Sequence, residues 1–325
     1  MPLWIPLLLA LLLAPLLPQL ARATPMAVAA GVFLQRDSFQ PGRQPDGNSV
    51  VFVGPRGLVV VDSGRHIEHT QALIDFAAAR AAPIVAVVNS HWHLDHLGGN
   101  ALLRERVPNL QVVASSAVAP ALKGWLANSR REMQAMLDGG TLDTTTQAMV
   151  RLDIALIDRG PRLLPDVALE GPRSLELGGL TLQIGHETRA VTAGDLWVYE
   201  PNTRVLAAGD LVTFPVPFLD TACASGWSAA LSHLESVPFT TLVPGHGAPM
   251  SRRQFSIWRS AFDGLLACAA SQATDMNCSE GWVKALGELL PVAEHKRARA
   301  MVGYYVQQRL RAAPVERDRY CSAGG

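Results

Sequence analysis

The chain of 325 residues is long enough for one large domain or two small ones, and its hydrophobic content of 49% is ample for a core. Lys and Arg together number 28, and so do Asp and Glu, so no overall field attracts nucleic acid or an anionic membrane. The charged fraction of 17% is ordinary for a compact folded protein and argues against disorder.

Residues 1–23 are typical of an export signal. An apolar stretch near 7–17 is followed by a small-x-small pattern at 21–23, which favours cleavage directly after it. No Lys or Arg precedes the apolar stretch, but Pro15 and Pro18 and its short length argue against the alternative, an uncleaved membrane anchor. We therefore expect a periplasmic or secreted protein without an integral span after cleavage.

The next part of the chain has the texture of strands and turns. Two β-branched runs, Ser49–Val53 and Leu58–Val61, are joined by Gly-Pro-Arg-Gly and predict a hairpin. Residues 68–82 predict a helix that ends at Pro83. The run IVAVVNS is mostly apolar, as in a strand covered on both faces, and it leads into a histidine-rich loop. Further strand-like runs are LQVVAS, LELGGLTLQIG, DLWVYEP, RVLAAGD and TLVPGHG.

Two long stretches are predicted to be helical. Residues 116–158 interrupt the strands and are interpreted as an insertion, a candidate cover for a functional site. Its Trp125, Met133 and Met136 are candidates for an apolar substrate groove, the alternative being helices that simply pack on the domain. Residues 251–325 have apolar residues at helical spacing to about position 311 and predict a C-terminal helical extension.

The four cysteines form no CxxC pair, and none lies near the histidine-rich loop. In an exported protein an even number suggests disulfides. Cys268 and Cys278 bracket a polar loop between two helical patterns, which makes them the preferred pair. Cys223 and Cys321 would then tie the tail to the domain. Four free buried thiols are the alternative.

The histidine-rich loop, NSHWHLDHLGGN, contains His91, His93, Asp95 and His96 within six positions. In a loop after a strand these side chains can converge on one point, and imidazole and carboxylate are ligands that zinc and similar divalent metals prefer. The two glycines that follow permit a tight turn into a helix. The motif therefore predicts a metal site.

This motif resembles the signature of the metallo-β-lactamase superfamily. Three further stretches agree in the expected order: GLVVVDSG, AGDLWVYEPNTRVLAAGDLV and LVPGHGAP. The resemblance covers roughly Val28 to Met250 and implies an αββα sandwich domain at 24–250, with metals held by loops at one edge of two sheets. The layout is similar to exported zinc metallohydrolases associated with quinoprotein relay systems and sulfur oxidation.

The resemblance also implies two adjacent metal pockets. The first metal pocket would use His91, His93 and a later histidine. The second metal pocket would use Asp95, His96 and a histidine near the end of the domain. That histidine is His246, and Asp210 would bridge both pockets. The implied cofactor is one or two zinc ions per chain, with iron and manganese left open, and Asp62 would support the site loops by hydrogen bonding.

The later histidine of the first metal pocket is absent from its position. Val191 stands there, in the segment AVTAGD, and valine cannot bind a metal. His186 and Glu187 lie a few residues earlier and are candidates to replace it, but only through a bulged loop. We therefore expect either a single metal in the second metal pocket or a second, weaker metal at His91 and His93.

These residues predict an exported metal-dependent hydrolase of a small ester, thioester, lactone or related molecule. In this interpretation a metal activates a water molecule, and Asp95 orients it and helps to move its proton. A different hypothesis, motivated by Val191, is a degenerate metal-site protein that binds a ligand or a periplasmic redox partner without turnover. A β-lactamase is disfavoured by Asp210, because those enzymes have cysteine or no metal-binding residue at that position.

Overall fold

The computed structural model describes residues 24–40 and 42–321, so the predicted export signal lies outside the described residues. Within these ranges the chain forms thirteen strands in two sheets. The first sheet consists of β1 (Met26–Ala29), β2 (Val32–Gln35), β3 (Ser49–Gly54), β4 (Gly57–Val61), β5 (Ile84–Val88), β6 (Gln111–Ser115) and β7 (Val167–Leu169). The second sheet consists of β8 (Arg173–Leu177), β9 (Leu180–Glu187), β10 (Asp195–Glu200), β11 (Val205–Thr213), β12 (Thr241–His246) and β13 (Met250–Ser251).

The strands of the first sheet lie in sequence order, and those of the second sheet run from β13 to β8. Strands β1 to β4 pair antiparallel, whereas β4 to β7 pair parallel through helical crossovers. In the second sheet β11 and β12 are parallel and the other pairs antiparallel. The predicted hairpin is confirmed, with Val50 opposite Val61.

Helices cover the outer faces of both sheets and fill the two predicted helical stretches. The first part of the chain contributes α1 (Ile67–Ala79), α2 (Leu94–Leu97), α3 (Asn100–Arg106), α4 (Val118–Lys123), α5 (Trp125–Asp138) and α6 (Thr144–Ile157). The second part contributes α7 (Ala224–Ser236), α8 (Arg252–Ala270), α9 (Asp275–Leu286), α10 (His295–Tyr305) and α11 (Pro314–Arg317). Helices α4 to α6 lie between β6 and β7, where the insertion was predicted.

The alternation of side chains along the central strands creates the layers. In β4, Val59 and Val61 pack between the two sheets, whereas Leu58 and Val60 belong to the cluster that includes residues of α1 and α3. Because both faces of this strand are covered, all five of its residues are buried. The result is the αββα sandwich expected from the sequence.

Helices α7, α8 and α9 pack on the strand that carries Asp210. Trp227 of α7, Trp258 of α8 and Trp282 of α9 are fully buried, and each donates its indole N–H to a backbone carbonyl. The acceptors are the carbonyls of residues 211, 213 and 215, at distances of 2.9–3.0 Å. These bonds satisfy the indole donors and hold the end of β11 against the helices. The region after residue 250 therefore shares its core with the sandwich.

Both preferred disulfides are confirmed. Cys268 pairs with Cys278, and Cys223 pairs with Cys321, closing 98 residues of sequence. The described residues contain no free cysteine, so the alternative of four thiols is wrong. Two disulfides are compatible with an oxidising, extracellular location. A search of the described helices finds none with the length and apolar character that crossing a bilayer requires.

Candidate metal centre

The predicted ligands meet at the edge of the sandwich where neighbouring strands end. The histidine-rich loop follows β5, Asp210 lies in β11, and His246 is the last residue of β12. Asp62 follows β4 directly and adopts a left-handed backbone conformation with φ of 64°. Because β4 and β5 are parallel, and β11 and β12 are parallel, their carboxyl ends deliver these side chains to one place.

Five of the six predicted ligands form two overlapping groups. Ligand atoms of Asp95, His96 and His246 lie within 4.8 Å of one another, and so do those of His91, His96 and Asp210. The shortest approaches are His96 Nε2 to Asp210 Oδ1 and His246 Nε2 to Asp95 Oδ2, both 3.1 Å. His93 belongs to neither group, although its ring lies 4.5 Å from that of His91.

Asp62 orients the imidazole of His96. Its Oδ2 accepts a hydrogen bond from His96 Nδ1 at 2.8 Å. A carboxylate oxygen only accepts, so Nδ1 carries a proton and the other nitrogen, Nε2, is directed at Asp210. The hydrogen-bonding role predicted for Asp62 is what the structure shows.

Asp62 also orients His91, through Ser90. The Ser90 hydroxyl donates to Asp62 Oδ2 at 2.7 Å, and it lies 2.9 Å from His91 Nδ1. Because its single proton is already donated, the hydroxyl must accept from His91 Nδ1–H. His91 Nε2 is therefore left as an unprotonated ligand atom, 3.8 Å from Asp210 Oδ2. Ser90 was not singled out in the sequence.

The neighbourhood of Val191 contains a hydroxyl in contact with His93. Thr221 Oγ1 donates to the Val191 carbonyl at 3.0 Å and lies 2.9 Å from His93 Nε2. By the same count of protons, Thr221 accepts from His93 Nε2–H, which leaves Nδ1 as the nitrogen of His93 free to bind a metal. Val191 itself is fully buried among apolar residues.

Neither candidate replacement for the missing histidine faces the site. His186 Nε2 lies 3.1 Å from the Ser115 hydroxyl. The Glu187 carboxylate accepts from Trp197 Nε1 at 3.1 Å and contacts His233 Nδ1 at 2.9 Å. Both side chains are engaged elsewhere because β9 pairs regularly with β10 up to Glu187, without the bulge that a displacement would need.

Buried polar atoms without partners mark the centre of the cluster. His91 Nε2, His96 Nε2 and Asp210 Oδ1 are buried and lack hydrogen-bond partners among the described residues. Such groups are rare in folded proteins because leaving them unsatisfied costs about 1–3 kcal/mol each. These atoms fit a divalent cation, and the second metal pocket has the complete set of two histidines and two carboxylates.

The charges of the cluster are strongly coupled. Burial disfavours the charged form of Asp95, but His96, His246 and Arg65 together hold the pKa of Asp95 well below its usual value. Burial likewise opposes protonation of His96, yet nearby carboxylates, Asp210 first, hold its pKa well above the usual value. The pKa of His91 is held low, chiefly by burial and then by the neighbouring histidines.

Two glycines allow the loops to approach this closely. A Cβ at Gly245, in the PGHG segment, would lie 2.0 Å from Asp210 Oδ1. A Cβ at Gly47 would lie 2.4 Å from the His96 ring. Asn48 holds the same segment by donating from Nδ2 to the carbonyls of Pro244 and Gly247 at 2.8 and 2.9 Å. Any other residue at these glycines would displace a candidate ligand.

A cleft of about 550 Å³ opens onto the candidate ligands. His93, Asp95, Asp210 and His246 lie at its base. Its walls include residues of the predicted insertion and of α10. Residues of these walls and of the rim include Phe39, Trp125, Leu126, Met133, Ile157, Phe218, Asp220, Arg297, Met301 and Tyr305. Met136 is not among the lining residues and is 47% exposed, so its predicted part in the groove is not seen.

The fold is an αββα sandwich with a buried cluster of histidine and aspartate side chains at one edge of its sheets. Residues 42–246 match the model of the metallo-beta-lactamase superfamily, and the chain belongs to that superfamily. Superfamily members usually bind metal ions, and the cluster described above provides candidate ligands.

Similar proteins include hydrolases of several kinds. A linear primary-alkylsulfatase of Pseudomonas sp. (strain ATCC 19151) is 25% identical over 225 residues, covering 62% of this chain and 41% of the relative. A hydroxyacylglutathione hydrolase of Prochlorococcus marinus (strain MIT 9312) is 38% identical over 61 residues, covering 19% of this chain and 23% of the relative. The chain thus spans less than half the length of these relatives. A solved metallo-beta-lactamase from Pontibacter korlensis has a TM-score of 0.54 at 21% identity, covering 74% of this chain and 98% of the other, which shows the fold alone.

Proposed function

We propose that this chain is an exported hydrolase that uses zinc and cleaves a small ester, thioester, lactone or related substrate. The second metal pocket would hold the firmly bound ion through Asp95, His96, Asp210 and His246. The convergence of buried, unpartnered nitrogen and oxygen atoms beside an open cleft carries this proposal. Membership of a superfamily of metal-dependent hydrolases supports it.

The first metal pocket would bind a second ion more weakly. His91 Nε2 and His93 Nδ1 are the two nitrogens that the hydrogen bonds of Ser90 and Thr221 leave unprotonated. With Val191 in place of a third ligand, the pocket depends on Asp210 and on solvent or substrate to complete a coordination shell. Two protein nitrogens and a shared carboxylate favour partial occupancy at low zinc concentration.

A divalent metal bound by these residues would supply Lewis acidity and lower the pKa of a water molecule. Asp95 would orient this water molecule and help to move its proton. The Asp95 carboxylate lines the cleft, 3.1 Å from His246 Nε2 and 3.7 Å from an Arg65 guanidinium nitrogen. In the metal-free chain His96, His246 and Arg65 hold the pKa of Asp95 well below its usual value despite its burial, so the carboxylate is ionised and can accept a hydrogen bond from water.

Metal analysis and a substrate panel test the proposal. Purified protein is assayed for bound zinc, and zinc-loaded protein is tested on thioesters, lactones, aryl esters and phosphodiesters, with alkyl sulfates added because of the alkylsulfatase relative. Asp95→Asn should lower kcat by about a hundredfold or more. His246→Gln should weaken zinc binding, whereas His233→Gln, at a histidine side chain that is 66% exposed, should leave it unchanged. Absence of tightly bound metal would refute the proposal.

The second candidate is a degenerate metal-site protein that binds a ligand or a redox partner without turnover. Val191 and the absence of a replacement ligand at His186 or Glu187 favour it. It predicts one bound zinc with no hydrolysis of any compound in the panel. A β-lactamase stays disfavoured, and hydrolysis of nitrocefin and a carbapenem at any zinc level would reinstate it.

A further inference from the structure

Apolar side chains from two parts of the chain form walls of the cleft. One wall consists of residues from the predicted insertion, led by Trp125 and Met133 of α5, and Trp125 is 39% exposed. The other wall includes Phe218, in the loop after β11, and Met301 of α10. Between these walls an apolar or aromatic substrate body would lose water-exposed surface on binding.

One cation at the rim has unused hydrogen-bonding capacity. Arg297 of α10 lines the cleft, and its guanidinium carbon lies 4.3 Å from the centre of the Phe39 ring. Its nearest carboxylate among the described residues is Glu294 on the preceding turn, at 3.7 Å, and both side chains are 39% exposed. A guanidinium has five N–H donors, so one long ion pair leaves most of them free for a ligand.

The other arginine of the cleft is already paired with carboxylates. The second cation, Arg65, bonds to Asp153, approaches Asp95 at 3.7 Å and donates to the Pro45 carbonyl. The acidic Asp220 accepts from the Tyr305 hydroxyl at 2.6 Å. Arg297 is therefore the group in the cleft that is best able to bind an incoming anion.

The position of Arg297 relates this anion site to the candidate metal ligands. The Phe39 ring, on which the guanidinium stacks, lies 5.3 Å from the His246 ring. Arg297 thus contacts an aromatic ring that itself contacts His246 of the second metal pocket. An anionic group on Arg297 and a scissile carbonyl at the metal centre would be separated by about one short apolar linker.

We propose that Arg297 selects substrates that carry an anionic group beyond an apolar body, with a carboxylate as the simplest case. The substrate class is an amphipathic ester, thioester or lactone whose apolar part lies between Trp125 and Met301. This inference rests on the proposed hydrolase function. It assigns a specificity role to α10, which contributes Arg297 and Met301 to the cleft.

A matched pair of esters tests the selection. Zinc-loaded protein is assayed on mono-4-nitrophenyl glutarate, which is anionic, and on 4-nitrophenyl valerate, its neutral counterpart. Arg297→Gln should lower the ratio of their kcat/KM values about tenfold to hundredfold, since a hydrogen-bonded charge is lost. Arg297→Lys should keep part of the preference, because the charge stays but the planar fork is lost.

Arg299→Gln is the control. Arg299 is two residues away on the same helix, is also 39% exposed, and pairs with Glu280 of α9 outside the cleft. This variant should keep the wild-type ratio. An unchanged ratio in Arg297→Gln, or an equal fall in Arg299→Gln, would overturn the proposal.

A binding measurement separates this proposal from the hydrolase function. Tryptophan fluorescence of the full chain, in which the Trp125 ring lies 5.1 Å from the Trp92 ring, reports binding of 4-phenylbutyrate and 4-phenylbutanol. Wild type should bind phenylbutyrate more tightly, and Arg297→Gln should remove most of that difference. If this difference in binding is observed while no ester is hydrolysed, the anion-binding role of Arg297 is supported and the hydrolase proposal fails. If esters are hydrolysed but the two probes bind alike in both proteins, the role of Arg297 is refuted.

Discussion

Replacing Asp62 by Asn changes the hydrogen bonds that prepare two candidate ligands at once. Asp62 accepts from Ser90 N at 2.6 Å, from the Ser90 hydroxyl at 2.7 Å and from His96 Nδ1 at 2.8 Å. An amide keeps one accepting oxygen and offers an NH₂ group in place of the other. If the NH₂ group faces His96 Nδ1, that nitrogen must accept, and the imidazole proton moves to Nε2, the atom directed at Asp210.

The expected loss of zinc affinity follows from the number of candidate ligands that the substitution disturbs. Loss of a residue that orients a metal-binding histidine typically lowers metal affinity about 10- to 100-fold, or about 1.4–2.8 kcal/mol. Asp62→Asn disturbs His96 directly and His91 through Ser90, so we expect a loss near 100-fold. Ser90→Ala removes only the link to His91, so we expect a loss near tenfold.

Zinc affinity is measured by competition with a chromophoric chelator, and thermal unfolding of the metal-free variants shows whether the fold is intact. Asp166→Asn is a suitable control, because Asp166 also accepts a backbone N–H next to a strand but pairs with Arg104 away from the site. If folded Asp62→Asn binds zinc within about twofold of wild type, the argument that Asp62 sets the histidine tautomers is refuted.

Three further predictions concern the same region. Val191→His should raise zinc stoichiometry by one equivalent, measured by elemental analysis, because the Val191 carbonyl contacts the hydroxyl that touches His93; no change would mean that this side chain does not face the first metal pocket. Despite their burial, carboxylates raise the pKa of His96 and His246, so the metal-free chain holds protons there that zinc must displace. Zinc affinity should therefore rise as the pH increases through these raised pKa values, with proton release detected by calorimetry in buffers of different ionisation enthalpy. The stabilisation that these charged histidines give the metal-free fold is complete below their ordinary pKa and is lost over the same rise in pH. Burial raises the pKa of Asp195 from 3.8 to about 7, so the native state keeps a proton that the unfolded chain loses. The contribution of Asp195 to the free energy of unfolding should decline between about pH 4 and 7, by about 4 kcal/mol at most. Urea unfolding of Asp195→Asn should show a smaller decline over this pH range than wild type. An equal decline would contradict the assignment.

Much of the site could be predicted from short patterns. The spacing in HWHLDH keeps three histidines and an aspartate within one short segment. The apolar strand before this segment determines at which edge of the sheet it lies. Asp210 and His246 follow apolar runs of the same kind, so their delivery to the same sheet edge was predictable once the superfamily was recognised. The disulfide between Cys268 and Cys278 was predictable because it closes a short loop between two helices.

The tertiary structure alone decided which groups surround these ligands. Thr221 contacts His93 across 128 positions of sequence, and Arg297 lines the cleft because α10 packs beside the loop after β11, where Tyr305 donates to Asp220. Neither residue lies in a motif, and a threonine or arginine in a helical or loop segment carries no local signal of its partner. The sequence by itself determined the kind of chemistry, since ligand identity and spacing are local properties. The tautomers, the incomplete pocket and the shape of the cleft depend on how distant segments pack, which is a property of the whole fold.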